Sequence, residues 1–266
     1  MTPIDISVVI PTFRREKQLL EAIGSVLSQR DVTLEIIVVD DSPDGSARSA
    51  VASVTDPRVS YIQRAEPSGG RPALVRNEGA RAAKGRYVHF LDDDDMLEPG
   101  ALSALSTALD ADPKAGMAFG VIVPFGLDEV KLRHHQKFFA EARRIARRLR
   151  GARQLSASLL FCPTVLVNSA CMARREAFVA VGGFDAEIPV CEDADLWARI
   201  AHATGFVFLD RPIVRYRTGA ASLMHNLAEN DEKMSQSYRR IQNKYRETHG
   251  MLQYLAMKIW ARATLR

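Results

Sequence analysis

Four short, β-branched apolar runs open the chain at near-regular intervals: ISVVI from Ile6, LEIIVV from Leu34, VSYI from Val59 and YVHFL from Tyr87. Between the first two, Leu19, Leu20, Ile23, Val26 and Leu27 mark one face of a helix. Strands that are apolar without alternation are covered on both faces, as in a parallel sheet between layers of helices. The pattern therefore predicts an open, Rossmann-like α/β fold, a mostly parallel central sheet flanked by helices, with ligands at the carboxyl ends of the strands. Farther along, a helix is expected over 100–109, a strand over 117–123 and another around 170–173. A helix ending at Gly182-Gly183, a helix over 192–203 and two strands, FVFL and IVRY, follow. Residues 226–266 read as a helical C-terminal extension, polar to Leu252 and apolar beyond it.

The predicted strand ends carry the polar chemistry. The first strand ends in Pro11-Thr12-Phe13-Arg14, the second in Asp40-Asp41-Ser42 and the fourth in Asp92-Asp93-Asp94-Asp95. After the first strand no glycine occurs until Gly24, which removes the glycine-rich pyrophosphate turn of a dinucleotide fold. Unit charges about 4 Å apart repel by about 1 kcal/mol even in water, so a run of aspartates at the end of a buried strand calls for a cation. Oxygen ligands of this kind suit Mg²⁺ or Mn²⁺ shared with substrate phosphates. The alternative is a solvated acidic turn in which Asp95 caps the next helix. Asp40 and Asp41 can accept hydrogen bonds from a ribose hydroxyl or a base N–H, or instead form an Asx-turn into Ser42-Pro43-Asp44-Gly45.

Charge is unevenly spread. The chain carries 36 Lys and Arg against 32 Asp and Glu, a net +4, yet residues 131–153 alone hold nine basic residues and one acid, Glu141. The remainder is therefore mildly acidic. Within the basic stretch Phe138, Ala142, Ile145 and Leu149 fall on one helical stripe bordered by arginines. That composition suits an anionic membrane surface or acceptor phosphates, and equally a solvated helix face. Nucleic acid is not among the expected partners. No segment approaches the roughly 18 apolar residues of a spanning helix, SLLFCPTVLV at 158–167 being short and broken by Pro163. The N-terminus has no basic region before its apolar run, which argues against a secretory signal. Cys162, Cys171 and Cys191 are spaced too widely for a zinc knuckle and read as reduced thiols. A cytoplasmic protein is expected, peripheral at the inner face of the cell membrane if the basic helix docks there.

Together VVIPTFRRE (8–16), IIVVDDSPDGS (36–46), LVRNEGARAAKGRYVHFLDDDDMLEPGAL (74–102), GGFDAEI (182–188), EDADLWARI (192–200) and VRYR (214–217) resemble glycosyltransferase family 2, inverting GT-A enzymes that use nucleotide-diphospho-sugars. The resemblance covers residues 5–217. It implies a GT-A catalytic domain over 1–222, its nucleotide-sugar half over 1–123 and its acceptor-side half, with the basic helix, over 124–222; the extension is 223–266. Pro11, Thr12 and Asp40, supported by Asp41, then match positions that hold the base and ribose, and Arg76 matches a nucleotide contact beside a structural Asn77. Asp92-Asp93-Asp94 aligns with the Asp-x-Asp motif. Its first carboxylate faces the sugar or ribose, and its last binds the Mn²⁺ or Mg²⁺ that bridges the diphosphate, with Asp92 as a second ligand and Asp93 on the substrate side.

Glu192-Asp193 matches the catalytic-base motif, Glu192 contacting substrate and Asp193 taking the acceptor's proton. Apart from the resemblance, Asp193 suits the N-cap of the helix carrying Leu196, Trp197 and Ile200. The histidine that often follows Tyr-Arg by two residues is replaced by Gly219, with His225 as the substitute metal ligand; His134-His135 has no assigned role. The implied activity is hexosyl transfer to a glycan or lipid-linked acceptor in cell-surface polysaccharide or glycolipid synthesis. Two rivals stand beside it. One is a phosphohydrolase with Asp92 as nucleophile and Asp94 as acid/base, which leaves Asp40 and Glu192-Asp193 without roles. The other is an inactive homologue that docks on membranes through the basic helix.

Overall fold

The opening apolar runs become neighbouring parallel strands. In the computed structural model, which describes residues 3–161, 165–219 and 227–264, β1 (Ile6–Thr12), β2 (Leu34–Asp40), β3 (Val59–Gln63) and β4 (Tyr87–Phe90) lie in the order β3-β2-β1-β4. They are joined through α1 (Glu16–Leu27), α2 (Arg48–Ala52) and α3 (Pro72–Ala82). Then come β5 (Met96–Leu97), α4 (Ala101–Ala111), β6 (Met117–Phe125), α5 (Glu129–Ala146), α6 (Ala152–Phe161), β7 (Cys171–Arg174), α7 (Arg175–Ala180), α8 (Glu192–Thr204), β8 (Phe206–Arg217), α9 (Leu227–His249) and α10 (Met251–Thr264). The completed 8-stranded sheet runs β3-β2-β1-β4-β7-β6-β8-β5, with β7 and β5 antiparallel to their neighbours. Strand order reverses at β1, so the crevice at the carboxyl ends of β1 and β4 is the switch point where ligands of open α/β sheets bind.

Alternation within each strand serves two cores, which is why the strands read as unbroken apolar runs. Val8, Ile10, Ile36 and Val38 pack on one face with Leu19, Ile23 and Val26 of α1. Val9, Ile37 and Val39 pack on the other, where Leu196, Trp197 and Ile200 of α8 also lie. Helix α3 approaches this second face closely at Gly79, where an added Cβ would fall 2.4 Å from Val9 Cγ1 and 2.9 Å from Val39 Cγ2. Gly79→Ala is therefore expected to lower stability by about 1–3 kcal/mol through overpacking, measured by urea denaturation.

The structure corrects several expectations. FVFL and IVRY are one strand, β8, carried across an irregularity in its pairing with β6 near Gly120 and Val121. The basic stretch is two helices. Asp128 caps α5, accepting from Val130 N at 3.1 Å and Lys131 N at 3.0 Å, and α6 begins beyond Gly151. The predicted stripe faces the core: Ala142 and Ile145 of α5 and Leu149 just beyond it are buried, together with Phe139, while its neighbour Phe138 is exposed. This stripe is therefore not free to enter a membrane. Arg143 and Arg147 bind Asp210 on β8 at 2.6 and 2.5 Å. Cys171 and Cys191 are free thiols, and Cys162 lies outside the described residues. The C-terminal helices part at Gly250, whose φ of 84° ends α9, and bury Ile241, Tyr245, Met257 and Ala261 against Ala157 and Leu160 of α6. No helix among the described residues is long and apolar enough to cross a membrane.

Candidate active site

Because β1 and β4 are adjacent, their ends bring Thr12 to the acidic loop, and Thr12 Oγ1 donates to Asp93 Oδ2 at 2.8 Å. Arg15, at the entry to α1, donates to Asp93 Oδ1 at 3.0 Å and Asp94 Oδ2 at 2.8 Å. From the end of β8, Arg217 gives its Nε to the Asp94 carbonyl at 2.8 Å and its backbone N–H to Asp95 Oδ1 at 3.0 Å, and it also binds Glu21. From α3, the buried Arg76 donates to Asp92 Oδ1 at 2.6 Å and to Glu192 at the start of α8. Asp193 follows. The cluster therefore gathers the carboxylates of Asp92–Asp95, Glu192 and Asp193 around the guanidiniums of Arg15, Arg76 and Arg217, and negative charge remains in surplus.

Burial first, and that surplus second, raise the proton affinities of these carboxylates. Burial pushes Asp93 up to about 6 against the pull of Arg15. Burial also raises Asp94, with Arg15 opposing and Asp92 adding repulsion, and raises Asp95 further, helped by Asp94 and Asp92. Asp193 rises to about 7, first through burial and then through the charge of Glu192, with Arg76 only partly offsetting them. Arg76 is held more firmly protonated than usual: burial disfavours its charge, but Asp92 and Glu192 outweigh that cost.

The donor set fits a hard divalent cation. Among the described residues no group of three or more His, Cys, Asp or Glu side chains is placed to hold a metal ion by itself, so an ion here would take one or two carboxylates and complete its shell with phosphate oxygens and water, as Mg²⁺ commonly does. Asp92 and Asp94 retain side-chain exposures of 33% and 14%.

The other predicted residues are placed as follows. Asp40 is fully buried and occupied by protein donors, from Ser42 N at 2.9 Å, Ser42 Oγ at 2.5 Å, Ala47 N at 3.0 Å and Tyr61 OH at 2.8 Å. The Asx-turn reading thus describes Asp40, which shapes its loop instead of presenting an open acceptor. Asp41 likewise accepts from Ser68 N at 2.7 Å and Ser68 Oγ at 2.5 Å, and pairs with the Arg64 guanidinium at 3.1 Å. Pro11 sits on β1 beside Val39. Asn77 is structural as expected, exchanging hydrogen bonds with the Phe184 backbone at 2.8 and 3.0 Å.

Neither capping alternative holds. Asp95 is buried and α4 starts only after the left-handed Gly100, while the N-cap of α8 is Cys191 at φ 59°, with no side-chain cap. Asp193 accepts from the adjacent Ala194 N at 2.8 Å. His225 lies outside the described residues. Sequence reasoning missed Arg15 and Arg217. The signal was the uncompensated charge of four aspartates, because the cations that offset it had to come from the neighbouring strand ends, and Arg15 stands inside VVIPTFRRE itself.

A family model described as Glycosyl transferase family 2 matches residues 7–182. The chain is 36% identical over 107 residues to the succinoglycan biosynthesis protein ExoO of Rhizobium meliloti, a match covering 40% of this chain and 30% of that protein. It is 41% identical over 102 residues to the GalNAc(5)-diNAcBac-PP-undecaprenol beta-1,3-glucosyltransferase of Campylobacter jejuni, covering 38% of this chain and 33% of the relative. The matches thus span about a third of these relatives' lengths. Among solved structures, the mannosyltransferase PcManGT of Pyrobaculum calidifontis, in complex with GDP-Man and Mn²⁺, superposes with a TM-score of 0.65 at 19% identity, covering 100% of this chain and 72% of that one. At that identity the likeness establishes the fold alone.

Proposed function

This chain belongs to glycosyl transferase family 2, and on that premise we propose that it moves a hexose from a nucleotide-diphospho-sugar to a hydroxyl of a glycan or lipid-linked acceptor, with inversion at the anomeric carbon. The observation that carries the reading is Arg76, whose single guanidinium binds both Asp92 of the acidic loop and Glu192 beside Asp193. A donor-side carboxylate cluster and a proton acceptor are thereby held within one side chain's span. Asp193 accepts the proton of the attacking hydroxyl. A carboxylate raised to about 7 binds that proton more strongly than an ordinary aspartate would. Arg15 and Thr12 hold Asp93 in place, Arg15 and Arg217 hold Asp94, and Asp40 and Asp41 support the nucleotide side by fixing the loop after β2. A Mn²⁺ or Mg²⁺ on Asp94 and Asp92 would stabilise charge on the departing diphosphate.

The relatives' names, one a succinoglycan biosynthesis protein and one a glucosyltransferase acting on a PP-undecaprenol-linked glycan, support a polysaccharide or polyprenyl-diphosphate-linked acceptor. The phosphohydrolase rival has no use for Glu192 and Asp193, although Arg76 builds them into the same cluster. Thermal shift with UDP-, GDP- and dTDP-sugars in Mn²⁺ is expected to pick out one donor class, and proton NMR of the product to show the anomeric configuration opposite to the donor's. Retention, or hydrolysis of simple phosphate esters without any nucleotide-sugar binding, would overturn the reading.

A further inference from the structure

Among the described residues, the apolar face left uncovered is on α10, not on α5. Met251, Leu252, Leu255 and Ile259 are 51%, 86%, 43% and 67% exposed. At 3.6 residues per turn they share one arc of about 100°. The opposite side of the same helix is already spent, with Met257 and Ala261 buried against α6 and Trp260 packed beside them. A helix apolar on both sides needs a cover on its outer side as well.

The charges bordering that arc select the cover. Lys258 lies just outside the Met251 edge of the arc and Arg262 just within that edge, and residues 251–266 contain no Asp or Glu. A second copy of the chain docked on this face would bury Arg262 of each copy with no acidic partner from this helix, which opposes association. Anionic headgroups complement that edge while the acyl boundary accepts the apolar arc. We propose that α10 lies in the interface of an anionic bilayer, with Leu252, Leu255 and Ile259 inserted and Lys258 and Arg262 at headgroup level. The arginines of α5 play no essential part, since that helix buries its stripe in the core. This proposal does not depend on sugar transfer, because binding to lipid needs neither donor nor turnover.

Flotation of the full chain with vesicles of equal parts phosphatidylcholine and phosphatidylglycerol, compared with phosphatidylcholine alone, tests it. Wild type is expected to float with the anionic vesicles only. Leu252→Ser with Ile259→Ser is expected to weaken that binding at least about tenfold, and Lys258→Glu with Arg262→Glu by about fivefold per charge. Arg144→Glu on α5 with Arg148→Glu in the turn that follows it is expected to leave it intact. All these side chains are at least partly exposed, and matching circular dichroism would verify that each variant is folded. Absence of wild-type binding, or binding lost through the Arg144 and Arg148 pair but not through either α10 pair, would overturn the proposal. So would light scattering that finds a wild-type dimer dissociated by the serine pair, since the occupant would then be a second copy.

Discussion

Asp193→Asn is expected to lower turnover by about two to four orders of magnitude while donor binding stays nearly unchanged, because the substitution removes a general base and little else. Asparagine keeps an oxygen to accept from Ala194 N, Asp193 is not the N-cap of α8, and Arg76 keeps both of its carboxylate partners, Asp92 and Glu192. The pH dependence follows from the same environment. With Asp193 held near 7, wild-type turnover at saturating donor should fall about tenfold per unit below that pH. Stability should move the opposite way. From the ordinary value of 3.8 up to about 7 the unfolded chain sheds this proton while the folded chain keeps it, so rising pH across that window costs the native state stability. Asparagine cannot ionise, so the variant should melt above wild type at alkaline pH, with the difference vanishing below about 4. Initial rates, donor titration by calorimetry and thermal melts at both ends of the window check all three outcomes. Loss of donor affinity in proportion to activity would show that Asp193 serves structure and not proton transfer.

Asp94→Asn is the second large effect. The substitution keeps the side chain's shape and one acceptor oxygen for Arg15, but removes the charge from a site where burial already works against it. The fold should therefore survive. Outer-shell substitutions at metal sites cost about 10–100-fold in affinity, and loss of a ligand charge should cost at least the upper end of that range. Transfer should nearly cease at ordinary Mn²⁺ levels, and calorimetric titration of Mn²⁺ in the presence of donor should show the weakened ion binding directly. Unchanged Mn²⁺ dependence would remove Asp94 from the metal role and leave it as a partner of Arg15.

Much of this was legible in the residue order because it is local. Val8–Ile10 and Ile36–Val39 are apolar at consecutive positions, and a strand's side chains alternate, so both faces of the sheet had to be covered whatever the rest of the chain did. The acidic loop follows β4 directly, so its place at a strand's carboxyl end needed no knowledge of distant contacts. The pairing of that loop could not be read in the same way. Arg76 meets Glu192 across 116 positions and Arg15 meets Asp94 across 79, separations at which no periodicity carries information.

The amphipathic helices mark the boundary most clearly. Phe138 and Phe139 both suit a stripe running through Ala142, and only packing against Tyr216, with ring centroids 5.2 Å apart, selects Phe139. Periodicity shows that α5 and α10 each own an apolar face, but it does not show what covers that face. For α5 the sheet does, and for the outer side of α10 nothing among the described residues does. Which elements form, and where the carboxylates stand along them, follows from residue order alone, because both depend on neighbours within a few residues. Which guanidinium neutralises which carboxylate, and which apolar face stays open, is set only by the packed fold. Both depend on the free energy of burying surfaces that meet only when the whole chain is folded.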